Sequence, residues 1–348
     1  MLRFGSAWHD VDAQIRAITE LGLDSRRVIL CTDDSHSATL VNEGHVNRAV
    51  MRAIAQGVPP IQALQMATLN TAEHFGVSRD VGMIAPGRFA DILLVDDLSH
   101  LTPDTVITRG KIAVEDGIIT LPRPDYHIPT WATSSIHLAR LLAAQDFMIK
   151  APSGARVKVI ANVIGIIENQ APTRHLRMEV PIANEEVHVD IQRDLSKVAL
   201  VERHRGSGVV QVGFVEGFGL NVPCAIGSTV AHDSHQMIIV GTDENCMAKA
   251  ANELARVGGG QIVVREEQVI GMVDLPIAGL MSAEPADAVA RKAASVLDGF
   301  RACGCKLNSP NMQLSLLALV VIPELRISDL GLVDVKQFEF IQVIELSG

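Results

Sequence analysis

Apolar positions near the start of the chain repeat with a helical period, interrupted by one short β-branched run. Val11, Ile15, Ile18 and Leu21 share a helical face, which predicts a helix over 12–21 ended by Gly22. Val28-Ile29-Leu30-Cys31 predicts a strand, and it stops at Thr32-Asp33-Asp34-Ser35-His36. Further helices are predicted over 46–55, closed by Gly57, and over 61–75, entered through Pro59-Pro60 and capped by Gly76. Proline costs little in a first turn, where its missing N–H would have no partner. The face of the last helix shows Leu64, Ala67, Thr71 and Phe75.

After Gly82 the texture changes. Ile84-Ala85-Pro86-Gly87-Arg88 reads as a tight turn and Asp91–Val95 as a strand. Val106-Ile107 and Ile112–Val114 form two more, joined by a hairpin at Arg109-Gly110-Lys111. Leu121 to Pro129 carries three prolines and reads as a linker. Beyond Trp131, strands at 157–164, 198–201, 237–240, 261–264 and 269–273 interleave with helices at 246–257 and 285–300. The expected fold class is α/β in several parts. Residues 1–82 form the terminal part of a barrel, 83–120 a small β module, 121–130 a linker, and 131–348 a separate α/β domain.

The barrel expectation rests on where the acids fall. An apolar strand that ends at carboxylates is how a parallel (β/α)8 barrel presents a metal ligand or a proton carrier at its active face. A closed barrel takes eight strands and about 250 residues, so one such strand this early reads as the last part of a barrel whose first part is absent. For Asp33-Asp34 the competing reading is a strand-end turn or helix N-cap, where acids are favoured for dipole reasons alone.

Composition narrows the classes. With 348 residues, 48% apolar and 20% charged, the chain is an ordinary globular protein. Aromatics at 3% and a net charge of −10 argue against nucleic-acid partners, which need basic grooves and stacking rings. Met1 to Trp8 has no apolar core of a signal peptide. The most apolar stretch, 314–325, holds Pro323 and Glu324 and is too short to span a bilayer. A cytoplasmic protein without a membrane partner is expected. Five cysteines without paired C-x-x-C spacing (Cys31, Cys224, Cys246, Cys303, Cys305) predict reduced thiols.

His232-Asp233-Ser234-His235 is the second constellation. Two imidazoles and a carboxylate within four residues could bind a metal or cap an active site; equally, they could form a polar strand-to-turn network before the strand at 237–240. Thr242-Asp243-Glu244-Asn245 reads as a helix N-cap, and Gly258-Gly259-Gly260, which no Lys-Ser follows, as a turn.

Several segments together resemble the amidohydrolase superfamily. They are Gly5-Ser6-Ala7, Cys31 to His36, Glu43-Gly44-His45, Met66-Ala67-Thr68-Leu69-Asn70-Thr71-Ala72 and Ala85-Pro86-Gly87-Arg88-Phe89-Ala90-Asp91-Ile92. Gly217-Phe218-Gly219, Ser228 to His235, Leu275 to Ser282 and Ile322-Pro323-Glu324-Leu325-Arg326 are similar to the extra domain of the bacterial and archaeal adenine deaminase family. The resemblance covers nearly the whole chain. It implies hydrolytic deamination of adenine to hypoxanthine and ammonia, with a divalent metal (manganese or iron, or zinc) and a small purine as partner. It places Asp33 as metal ligand and proton carrier, and Asp34, His36, His232, Asp233 and His235 as substrate-binding or supporting residues. The family's H-x-H pair does not occur here. The expectation is therefore that the chain alone neither retains metal nor catalyses, and works as a homo-oligomer or with the missing part of the barrel. Two alternatives stand beside this: an amidohydrolase for another purine or cyclic amide, and a non-catalytic relic or complementing subunit.

Overall fold

The structure is a computed structural model that describes residues 1–122, 126–154 and 157–345. The linker expected over 121–130 lies partly outside the described residues. The chain divides into two compact units, Met1–His127 and Ile128–Gly348.

In the first unit, strands Leu2–Arg3 and Leu30–Cys31 pair in parallel, with Leu2 opposite Leu30. Helices surround them, and Val11, Ile15, Leu30, Ala49, Val50, Ala53, Ala63 and Met66 form the core. The helix Val46–Ala55 has the expected bounds, and Gly57 takes φ 99° behind it. The other two helices differ from expectation. Instead of one helix over 12–21 there are two short ones, Asp10–Gln14 and Arg16–Thr19, and Leu21 stays 75% exposed. The helix expected over 61–75 breaks at Thr68 into Pro60–Ala67 and Leu69–His74. The break re-phases the buried face, so that Asn70 and Ala72 turn inward and Phe75 outward. Asn70 has a reason to be inside: its Nδ2 donates to Ser25 O and Val28 O, both at 3.0 Å. It fastens the segment that leads into Leu30–Cys31.

The β module is a four-stranded antiparallel sheet of Ile92–Leu94, Thr105–Thr108, Lys111–Glu115 and Ile118–Ile119. Its hairpin turns through Arg109 and Gly110 at positive φ. Asp91 Oδ1 accepts from Arg109 N at 2.7 Å, which gives the turn motif's aspartate a local task.

The second unit is built on a ten-stranded sheet. From one edge the strands run Gln268–Asp274, Gly260–Arg265, Cys224–Ser228, Met237–Gly241, Leu195–Val201, Val210–Glu216, Lys158–Ile166, Thr173–Ala183, Glu186–Val187 and Ile149–Lys150. All neighbours are antiparallel except Val210–Glu216 with Lys158–Ile166. Alternation along Leu195–Val201 sends Ala199 and Val201 to the face covered by Glu244–Val257, and Val198 and Leu200 to the core containing Val296 and Phe300 of Ala286–Ala302. A separate three-stranded sheet comprises Leu325–Ser328, Gly331–Asp334 and Glu339–Ile341. Near the other end of the large sheet Ile344 bridges to Ala161, and Asn162 N donates to Val343 O at 2.8 Å.

Two local expectations take definite form. Asp243 caps Glu244–Val257 by accepting from Cys246 N at 2.8 Å. Gly258 to Gly260 all take positive φ, and a Cβ on Gly259 would stand 2.4 Å from Gly279 Cα. Among the described residues no helix is long and apolar enough to cross a membrane.

Candidate functional site

The strand Leu30–Cys31 brings three candidates to one place. Asp33 follows it at φ 63°, and its Oδ2 accepts from Arg3 Nη1 at 2.9 Å. Arg3 also donates through Nε to Asp10 Oδ2 at 2.5 Å. Both side chains of the Arg3–Asp33 pair are more than a third exposed, so the pair fixes where the carboxylate sits more than it stabilises the fold. Burial, and after it the Asp33 charge, pushes the Cys31 thiol up.

Asp34 is buried and turned toward the preceding loop. Its Oδ2 accepts from Ser6 N at 3.0 Å and Ala7 N at 2.7 Å. A Cβ on Gly5 would stand 2.2 Å from Asp34 Oδ1, so only glycine lets the chain pass there. Ser6 Oγ accepts from His36 N and donates to Thr39 Oγ1, both at 2.9 Å. Gly5-Ser6-Ala7 is thus a latch that holds the loop after the first strand against the loop after the second. His36 immediately precedes the helix Ser37–Asn42.

These residues do not fit a metal centre by themselves. Asp33 is ion-paired with Arg3, and Asp34 is engaged by backbone amides. Among the described residues no three of His, Cys, Asp or Glu come together in a group able to hold a metal ion, whereas catalytic zinc-type sites take three or more protein ligands.

His232, Asp233, Ser234 and His235 lie together in the second unit, just before Met237–Gly241. The His232 and His235 rings are 5.2 Å apart and tilted 65°. His235 Nδ1 accepts from Ala231 N at 3.2 Å, so one ring nitrogen is used inside the loop. Burial, then the neighbouring His232 and Arg203, lowers the His235 pKa. His232 N donates to Ser315 O at 3.0 Å, and His204 Nε2 lies 2.8 Å from Ser234 O. The loop is thus held by hydrogen bonds on several sides.

Sequence reasoning missed two buried cations. Arg203, 1% exposed, donates to His235 O, Ser135 O and Ala278 O. Lys197 lies in the wholly buried strand Leu195–Val201 and pairs with Glu186 and Glu244. A lone cation inside an apolar run was the available signal, because charge is buried only where partners wait for it. All five cysteines are free thiols, four of them buried.

Residues 8–113 match the model of the amidohydrolase family, which defines the class to which the first unit belongs. Residues 170–339 match the adenine deaminase C-terminal domain. An adenine deaminase of Roseobacter denitrificans is 56% identical over 345 residues, 99% of this chain and 57% of that protein. One of Ruegeria pomeroyi is 56% identical over 346 residues, again 99% and 57%. One of Moorella thermoacetica is 46% identical over 344 residues with the same coverage. Along almost its whole length the chain is thus similar to proteins named adenine deaminase. It spans just over half the length of these relatives.

Proposed function

We propose that the chain contributes the terminal part of an amidohydrolase barrel and an accessory domain to a cytoplasmic enzyme that deaminates adenine hydrolytically to hypoxanthine and ammonia. The observation that carries this reading is 56% identity to a named adenine deaminase over 99% of the chain, with an acid-ended strand paired in parallel to Leu2–Arg3. Asp33 takes up a proton and delivers it to the leaving amine, while Arg3 sets the direction of its carboxylate. Asp34 and His36 support the same strand end; His232, Asp233 and His235 are the second unit's candidates for contact with the purine. The family implies a divalent metal, with manganese, iron and zinc as candidates. Since the residues present do not fit one, its remaining ligands would come from sequence that this chain does not contain.

A second reading, that the isolated chain is a non-catalytic, complementing subunit, is favoured by the lack of a three-ligand group among the described residues. One experiment tests both readings. The chain is purified alone and after co-expression with the non-overlapping part of the Roseobacter denitrificans relative, and ammonia release from adenine is followed. The expected result is no turnover alone and turnover in the assembly. Asp33→Asn should then cost roughly 10²–10⁴ in rate, as loss of a proton carrier does, with unchanged circular dichroism. An assembly that forms but is inert on adenine, or full activity in Asp33→Asn, would refute the assignment.

A further inference from the structure

Two buried thiols meet at one junction of the second unit. Cys224 opens the strand Cys224–Ser228, Cys303 follows the helix Ala286–Ala302, and both belong to one core cluster. The chain is held there from two sides. Asn221 N donates to Cys303 O at 3.0 Å. Arg265, opposite Cys224 on the neighbouring strand, donates through Nη1 to Ala302 O at 3.3 Å. A Cβ on Gly304 would stand 2.5 Å from Asn221 Oδ1 and 2.7 Å from Gly219 O, so the turn after the helix is pressed against the loop that leads into the strand. In this frame the side chains touch, with the Cys224 S–H donating to the Cys303 sulfur.

The contact divides the pair into two roles. The Cys224 hydrogen bond, helped by the Arg265 charge, holds the Cys303 thiol below its ordinary range although burial opposes it. The same contact, with burial, pushes Cys224 up. Of the five thiols, all among the described residues, Cys303 alone is shifted toward the thiolate: burial pushes Cys246 and Cys305 up to about 11, and raises Cys31 as well. The thiolate is the nucleophile in thiol oxidation. Cys305, two residues on, is too near in sequence for an unstrained bridge to Cys303. Arg265 and Ala302, the residue before Cys303, line a cleft of about 410 Å³ that is wide enough for a hydroperoxide. Cys303 itself is 0% exposed, so a reagent enters by opening the last turn of the helix, where helices fray.

We propose that Cys224 and Cys303 form a redox modification site, which a hydroperoxide converts to a disulfide and a dithiol restores. The Cys303 sulfur attacks one peroxide oxygen and the O–O bond breaks. Cys303 becomes a sulfenic acid, and the departing oxygen takes the thiol's proton and leaves as water. The charge that kept the proton on Cys224 is then gone. The Cys224 sulfur attacks the Cys303 sulfur, the S–O bond breaks, and hydroxide leaves with the Cys224 proton as a second water. Two thiols lose two hydrogens and two electrons, and one hydrogen peroxide becomes two waters. The site stands on the second unit alone and does not depend on the reaction assigned to Asp33.

The test treats the folded whole chain with hydrogen peroxide and removes the excess with catalase. Denaturant and an alkylating reagent then mark every remaining thiol, and unreduced peptides are mapped by mass spectrometry. The expected result is one linked pair, Cys224 with Cys303, lighter by two hydrogens than its separate peptides. Two of the five thiols should be lost to alkylation and both returned by dithiothreitol. In Cys224→Ala, dimedone should trap Cys303 as the sulfenic acid; in Cys303→Ala, Cys224 should stay a thiol. Circular dichroism checks that the variants fold, and the wild-type map decides the linkage without them. The proposal is overturned if Cys224 and Cys303 are both alkylated at peroxide doses that oxidise Cys31. A link from either to Cys246 or Cys305 instead, or a dimedone adduct on Cys224 in Cys303→Ala, overturns it equally.

Discussion

Glu202 offers the sharpest energetic test of the second unit. It is 5% exposed and closes the connection between Leu195–Val201 and Val210–Glu216. Its Oε1 accepts from His204 N at 2.6 Å and Arg205 N at 2.8 Å, and its Oε2 from Ser207 N at 3.0 Å and Ser207 Oγ at 2.9 Å. Burial alone would raise its pKa; the hydrogen bonds, led by Ser207 N–H, outweigh it and hold the pKa at about 2 against an ordinary 4.5. A group depressed on folding stabilises the protein above its unfolded pKa and loses that contribution as pH falls through the folded one. Here the contribution is about 3 kcal/mol at neutral pH, of which about 2 kcal/mol is gone by pH 3. Glu202→Gln stays neutral throughout, keeps one accepting oxygen and turns an amide N–H₂ toward Ser207. Urea unfolding followed by far-UV circular dichroism should show the variant about 2–3 kcal/mol less stable at pH 7. The gap should narrow to about 1 kcal/mol at pH 3. A gap that stays constant with pH, or one below about 0.5 kcal/mol at pH 7, would refute the reasoning.

Two further outcomes follow from buried polar contacts. Asn70→Ala removes the side-chain donor from Val28 O and one of two donors from Ser25 O, which keeps Val28 N at 2.9 Å, and should destabilise the first unit by about 1–2 kcal/mol; protease resistance of Met1–His127 is the readout, and unchanged resistance would contradict it. Lys197→Met strands the carboxylates of Glu186 and Glu244, and thermal unfolding should show a loss of about 3 kcal/mol, the lower end for a broken buried ion pair because both acids keep some exposure. A neutral result would mean that both acids swing into solvent at no cost.

Where the sequence was legible, local chemistry and tertiary packing agreed. Val46–Ala55 carries its own apolar face and ends at a glycine that supplies positive φ, so its bounds were readable. The break at Thr68 was not, because it serves a distant need: Asn70 must reach carbonyls at Ser25 and Val28. Five strands of the large sheet escaped notice: Ile149–Lys150 and Glu186–Val187 are only two residues long, and three longer ones were hidden for different reasons. Thr173–Ala183 mixes Arg174, Arg177 and Glu179 with its apolar positions, Cys224–Ser228 is built largely of small residues, and Val210–Glu216 is broken by Gln211 and Gly213. At the candidate site, the acids were visible as types and positions, but their partners were not. That Arg3 would take Asp33, and the Ser6 and Ala7 amides Asp34, depends on a pairing between strands 28 residues apart.

The bridge between Ile344 and Ala161 also sets a clock. Asn162 Nδ2 bonds Gln342 O across 180 residues of sequence, and at synthesis rates of 5–20 residues per second that separation is roughly 10–40 s of translation. Ala161, Val163 and Val180 share a core cluster with Ile344. On the ribosome they must wait for a neighbour made much later in the chain. That seam of the large sheet therefore closes after the strands it joins have been made, and Ile344 acts as a clasp on them.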